Sequence, residues 1–283
     1  MNPTLKVSSP STHEFWEIPI LFEDEHLLAL DKPSGLLASP DRYAPELPNL
    51  LKLLHLAIEQ GKPWVRERGY SYLSQGFRLE AEASGVWLLA RTKPVLITLA
   101  DLFGSDQARR SFITIVQGAP RQDRYEIDLP LATHPTRPGL YHIDRRLGKQ
   151  AKTQVEVMER FDGYALVRCW AHAARPHQVR LHLQAVGLSV AGDRSYGGRP
   201  LLLSRLKGDY RLKPEQIERP LLGQATLLAE KLEMTHPVTS QPLVLEAAWP
   251  KDLTVAVKYL RRYAVSHAGA NLDTPASPEP EGA

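Results

Sequence analysis

The chain has 283 residues, 43% of them hydrophobic and 24% charged, proportions that support a buried core and exclude a disordered protein. The single cysteine, Cys169, excludes an intrachain disulfide and a cysteine zinc cage. Formal net charge is +3, and it becomes +6 over the first 265 residues once the tail from Ser266, with three acids and no Lys or Arg, is set aside. That surplus permits a polyanionic partner but does not demand one.

Residues 1–17 read as a polar N-terminal arm without periodicity and without the apolar core of a secretory signal. Ile18 to Glu23 and His26 to Asp31 follow as two short β-like runs around Asp24-Glu25, and Lys32-Pro33-Ser34-Gly35 ends this hairpin. Leu47 to Gln60 carries a helical apolar stripe stopped by Gly61 and Pro63. After Gly76 to Gly85 comes the apolar strand Val86 to Ala90, then a helix from Pro94 to Phe103 with Gly104 as its stop.

Ser111 to Gln117, Thr153 to Val157 and Tyr164 to Trp170 read as strands, and Gln178 to Val186 as a helix closed by Gly187. Leu227 to Met234 and Pro242 to Ala247 form a strand pair before a last helix over Leu253 to Tyr263. Residues 266–283 have the composition of a disordered tail. Strands outnumber helices and do not alternate with them, which predicts α+β with a mixed, largely antiparallel sheet in one folded unit over 18–265. No apolar run approaches the ~18 residues of a membrane span, and a cytoplasmic location with no membrane partner is expected.

Dinucleotide, P-loop, zincin and α/β-hydrolase motifs are absent. His177 and His182, five apart, do not align on one helical face, and no metal site is expected. Two segments hold the chemistry. The first is Gly76-Phe77-Arg78-Leu79-Glu80-Ala81-Glu82-Ala83-Ser84-Gly85, which sets an Arg and two carboxylates at a sheet end. The second is His172-Ala173-Ala174-Arg175-Pro176-His177-Gln178-Val179-Arg180-Leu181-His182, followed by Gly192-Asp193-Arg194-Ser195-Tyr196-Gly197. Here Arg175 stands before a helix start, and His177 and Arg180 would share a helical face.

In this order the two segments resemble the motifs of the RluA-type pseudouridine synthases: H-R-L-D-x-x-T-S-G, T-G-R-T-H-Q-I-R-x-H and G-D-x-x-Y-G. The likeness extends from Ile20 through Lys32-Pro33-Ser34-Gly35 to Thr235-His236-Pro237-Val238-Thr239. It implies that family's fold, a largely antiparallel central sheet flanked by helices with a central cleft. It also implies isomerisation of uridine to pseudouridine in ribosomal or transfer RNA with no cofactor. No DNA partner is expected, and with no heptads or long edge-strand signal a monomer is expected.

Departures fall in the chemical positions. Glu80 stands where the family has its catalytic Asp, Phe77 where it has His, Arg110-Ser111-Phe112 where it has K-x-Y, and Ala173-Ala174 and Pro176 where it has T-G and Thr. By resemblance, Glu80 is the working carboxylate and Arg175 the cation that pairs with it, Arg78 displaces the target base, and Phe112 stacks on it. His177, Gln178 and Arg180 complete the substrate-binding set.

The alternative on the same scaffold is an RNA-binding protein whose isomerase activity has decayed. Its grip on phosphates would come from Arg145, Arg146, Lys149, Lys152, Arg205, Lys207 and Arg211. A glycosidase using Glu80 and Glu82 needs carboxyls on opposite sides of a sugar, and same-face neighbours argue against it.

Overall fold

The computed structural model describes residues 3–172, 175–213 and 215–265, so the predicted tail over 266–283 and the Ala173-Ala174 pair lie outside the described residues. In chain order the first elements are β1 (Thr4–Ser8), β2 (Phe15–Glu23), β3 (Leu27–Lys32), α1 (Leu50–Glu59), α2 (Pro63–Glu67), β4 (Ser74–Gln75), β5 (Ala83–Ala90) and α3 (Lys93–Gly104). Then come β6 (Arg109–Gln117), β7 (Arg124–Asp128), β8 (Leu131–Thr133), β9 (Tyr141–Ile143), β10 (Lys152–Phe161), β11 (Tyr164–His172) and α4 (Gln178–Ala185). A single 3-10 turn at Arg194–Tyr196, α5 (Leu203–Leu206), β12 (Leu227–Thr235), β13 (Pro242–Glu246) and α6 (Lys251–Tyr263) complete the chain.

The main sheet runs β1-β2-β3-β5-β12-β6-β11-β10-β7, with β4 added to β5 and β13 to β12. Only β5 and β12 pair in parallel, so the sheet is mixed and largely antiparallel, as the pattern of elements predicts. That contact is close. Gly85 has φ +101°, and a Cβ there would meet the Ala229 carbonyl oxygen at 2.3 Å, so this position admits only glycine.

Two of the longer helices, α1 and α6, follow from their sequences. Asn49 caps α1 through its side chain, which accepts from the Lys52 N–H, and the helix buries Leu50, Leu53, Leu54 and Ala57. The last helix, α6, buries Leu253, Ala256, Val257 and Leu260 at helical spacing.

The N-terminal arm is a correction. Residues 4–8 pair antiparallel with the extended start of β2, Thr4 opposite Pro19 and Ser8 opposite Phe15. Leu5 and Val7 alternate into the core while Thr4, Lys6 and Ser8 face out. Thr-Leu-Lys-Val-Ser does alternate polar and apolar, a short strand signal that the polar composition of the arm around it hides.

Candidate active site

The cleft opens over the middle of the sheet, at the starts of β5, β6 and β12, where register sets Ala83 beside Leu227, and Phe112 between Ala229 and Cys169. It has a volume of about 560 Å³ and is walled by the segment Leu37 to Tyr43, by Thr133 and His134, and by Pro138 to Tyr141. Arg78, Glu80, Glu82, Arg110, Phe112, Arg175, His177 and Gln178 all reach it.

The stretch that enters β5 is pinned before the strand begins. Phe77 and Leu79 are buried, so the residues between and after them, Arg78 and Glu80, turn toward the cleft. The Lys32-Pro33-Ser34-Gly35 turn clasps this stretch from behind. Gly35 N–H donates to the Ala81 carbonyl at 2.8 Å, Ser34 Oγ donates to the Glu82 carbonyl at 2.8 Å, and Lys32 Nζ donates to the carbonyls of Pro33, Leu36 and Ala81 at 2.9, 2.5 and 3.3 Å. A punctuating turn in the sequence is thus the brace of the carboxylate-bearing segment.

Glu80 is held from two sides. Its Oε1 accepts from the backbone N–H of His177 at 2.9 Å and its Oε2 from Arg180 Nη1 at 3.0 Å. The same Nη1 lies 3.1 Å from Glu82 Oε1. The other side of the Arg180 fork is bidentate on Asp193, Nε to Oδ2 at 2.7 Å and Nη2 to Oδ1 at 2.8 Å. Arg180 is 1% exposed, and three carboxylates surround it. Burial opposes its charge, but the hydrogen bond with Asp193 and the charges of Glu80, Glu82 and Asp193 outweigh it and raise its pKa.

The expected Arg175–Glu80 pair is therefore corrected: the cation that holds Glu80 is Arg180. Arg175 precedes the turn into α4 and its Nε donates to the Gln150 carbonyl at 3.3 Å, while its side chain still lines the cleft. His177 is not on a helical face with Arg180. It sits at the N-cap in the left-handed region, φ 56° and ψ 16°, a conformation that costs energy in a residue other than glycine. That twist aims its N–H at Glu80 and its Nδ1 at Tyr196 Oη, 2.6 Å away. Tyr196 in turn stacks under Arg180 and accepts the Tyr141 N–H at 3.0 Å; burial pushes its hydroxyl up to about 12.

Gln178, expected to touch substrate, lines the cleft with its amide engaged within the protein. Its Nε2 donates to the Lys152 and His172 carbonyls at 2.8 and 2.9 Å and to Thr153 Oγ1 at 3.1 Å, and its Oε1 accepts the Arg175 N–H. It joins the start of α4 to the β10–β11 edge. Phe112, which is buried, and Arg78, which is exposed, both line the cleft. Among the basic residues of the alternative reading, Arg145, Arg146 and Lys149 are exposed near the β9–β10 connection, and Lys152 is paired with Glu126 at 2.7 Å.

Asp193 and Lys32 are site residues that the sequence gives no role. Asp193 lies in the quoted Gly-Asp-x-x-Tyr-Gly run, and its type beside a buried arginine is the signal that could have found it. Lys32 is fully buried, and burial pushes its ammonium down to about 7 against the pull of Glu82 and Glu80. In the unfolded chain this lysine binds its proton up to its ordinary value of 10.5, so between pH 7 and 10.5 the unfolded state holds more protons and folding stability rises with pH. Urea unfolding of wild type and Lys32→Met between those limits should show a rising increment for wild type, up to ~1.4 kcal/mol per pH unit, absent from the variant. Parallel curves for the two proteins would contradict it.

No group of three or more metal-ligating side chains occurs among the described residues. What the cleft offers is a braced carboxylate facing a space with an aromatic floor, a fit for chemistry on a planar base lifted out of a strand.

A family model described as RNA pseudouridylate synthase matches residues 26–185, more than half of the chain, and the protein belongs to that family. It is an RNA pseudouridine synthase by class. Among its relatives, ribosomal large subunit pseudouridine synthase D of Nitrosomonas europaea is 29% identical over 90% of this chain and 70% of its own length. The protein of the same name in Xanthomonas campestris is 31% identical over 86% of this chain and 69% of its own. Among solved structures, human RNA pseudouridylate synthase domain containing 4 superposes with a TM-score of 0.63 at 22% identity, covering 86% of this chain and 92% of that one, a likeness of fold.

Proposed function

We propose that this chain isomerises uridine in ribosomal RNA of the large subunit, as a cytoplasmic monomer, with Glu80 as the working carboxylate. The observation that carries this reading is the double fixation of Glu80 by Arg180 and the His177 N–H, with the carboxylate left at the edge of the cleft that Phe112 floors. The relatives named for the large ribosomal subunit support the substrate class.

In the reaction the uridine leaves its stack and its uracil lies against Phe112, while Arg78 fills the gap at the cleft mouth. Glu80 acts on the nucleoside as nucleophile or base, and the bond between C1′ and N1 breaks. The freed uracil turns in the cleft and C5 bonds to C1′, with the C5 proton lost and a proton gained at N1. The atoms balance within the substrate, so no oxidant, reductant or second reactant is needed. Arg180 holds Glu80 in place throughout, and Phe112 supplies a plane without a hydroxyl.

The test is to incubate purified protein with ribosomal RNA from a strain lacking the gene and to map pseudouridine by carbodiimide adducts. A new modified site in large-subunit RNA is expected. Tight RNA binding with no new site would leave the decayed binding protein as the correct reading, and modification confined to transfer RNA would correct the substrate.

A further inference from the structure

The alternation that turns Phe112 into the cleft turns Arg110 into it as well, two positions earlier on β6. Arg110 is 7% exposed, with its guanidinium 5.0 Å from the ring centroid of Phe77 and 5.3 Å from that of Phe103. Its Nε is buried and has no hydrogen-bond partner, and no described residue accepts a hydrogen bond or forms an ion pair with the rest of the guanidinium. The carboxylate whose charge bears on it, Asp106, is engaged with His172.

Burial lowers Arg110 to about 10, with Asp106 opposing, which leaves it charged at neutral pH. Two aromatic faces offset only part of that cost. Cation–π contacts recover less than an unpaired buried charge loses.

The other cations of the cleft are committed or peripheral. Arg180 is surrounded by three carboxylates, Lys32 is held by three carbonyls, Arg175 bonds to Gln150, and Arg78 and Arg42 are exposed, Arg42 donating to Tyr43 Oη. Arg110 is the buried cation in this cleft, among the described residues, whose charge is still to be met. A neutral uracil carbonyl could accept one N–H but would leave the charge uncompensated, whereas a phosphodiester answers both and fits the guanidinium fork.

We infer that Arg110 binds a backbone phosphate of the RNA beside the nucleotide that enters the cleft. Two residues along a strand separate it from Phe112 by about 7 Å, a span that one nucleotide covers from base to backbone. The inference rests on reading the Phe112 cleft as the nucleotide site. Phe77 and Phe103, whose rings tilt 60° to each other, flank the guanidinium on one side without offering it a competing acceptor.

The experiment is fluorescence anisotropy of labelled oligouridylate against wild type, Arg110→Met and Arg110→Lys over a series of KCl concentrations, with a thermal melt of each protein. Arg110→Met should bind about tenfold more weakly at low salt, and its slope of log Kd on log [KCl] should be shallower by about 0.7, the increment for one phosphate on a single strand. Arg110→Lys should recover most of that slope. Met packs against the two rings without an unpaired charge, so the melting temperature of the Met variant should stay level or rise.

A lower melting temperature with an unchanged salt slope would mean a purely structural Arg110 and overturn the inference. Should the Met variant not fold, wild type is tested against oligouridylate with neutral methylphosphonate linkages; a slope equal to that for the natural backbone would overturn the phosphate contact. Wild type that binds neither oligouridylate nor ribosomal RNA would instead remove the nucleotide-site reading itself.

Discussion

Replacing Glu80 by Gln should abolish pseudouridine formation while the protein stays folded. The amide keeps nearly the same shape and can still accept the His177 N–H, but it presents no negative charge to Arg180 or to the nucleoside. A positioned acid or base contributes on the order of 10²–10⁴-fold, and that is the minimum loss in kcat expected. Folding should change little, since Glu82 and Asp193 still answer Arg180. Glu80→Asp keeps the charge on a stem shorter by about 1.5 Å, so it should retain turnover that Glu80→Gln does not. Single-turnover rates on ribosomal RNA for the three proteins decide the matter, and a Gln variant within tenfold of wild type would remove Glu80 from the chemistry.

The second large effect is on stability. Arg180→Met removes one cation from among three carboxylates and strands Asp193, which is itself 1% exposed. Truncating one partner of a buried, hydrogen-bonded pair costs about 3–5 kcal/mol, a large share of the 5–15 kcal/mol that typically holds a domain together. Urea unfolding should show this as a lower midpoint with an unchanged slope. Arg180→Lys should recover little, because a single ammonium cannot replace a fork that grips Asp193 with two nitrogens and reaches both Glu80 and Glu82 with a third. Arg180→Met paired with Asp193→Asn should cost less than the sum of the single losses, since each removes what the other leaves stranded. A loss below about 1 kcal/mol for Arg180→Met would mean that the carboxylates are hydrated and the cluster is not a structural centre.

The two effects separate because one arginine joins two jobs. Toward Asp193 it is a fold element, fixing the turn after α4 to the helix. Toward Glu80 it is a positioning residue, one of two donors that set the carboxylate at the cleft. His177 is the other donor, and its left-handed backbone ties the energetic cost of that turn to the same carboxylate.

Much of the fold is legible in the chain. The hairpin around Asp24-Glu25, the α1 stripe, the apolar β5 run and the late β12–β13 pair are carried by local periodicity and turn residues, and they stand where those signals put them. The shortest elements are not legible: α5 has four residues, β8 and β9 three each and β4 two, lengths over which neither a helical nor a strand period can be told from chance. Strand β1 escapes for a different reason, since its alternation spans only five residues inside an otherwise polar arm and is fixed by pairing with β2.

The site divides the same way. The sequence by itself named the candidate side chains, for Glu80, Phe112 and Arg78 follow from the order of the motifs they resemble, and it marked Lys32-Pro33-Ser34-Gly35 as a turn without showing what that turn braces. Only the tertiary structure decided which arginine serves Glu80. Arg175 and Arg180 are alike in type and five residues apart, and the choice is made by the turn at His177, which leaves the first outside the helix and directs the second inward from its first turn. Charge partners are chosen by direction in space, and direction accumulates over every torsion between two residues, so residue type names the candidates and folding selects among them.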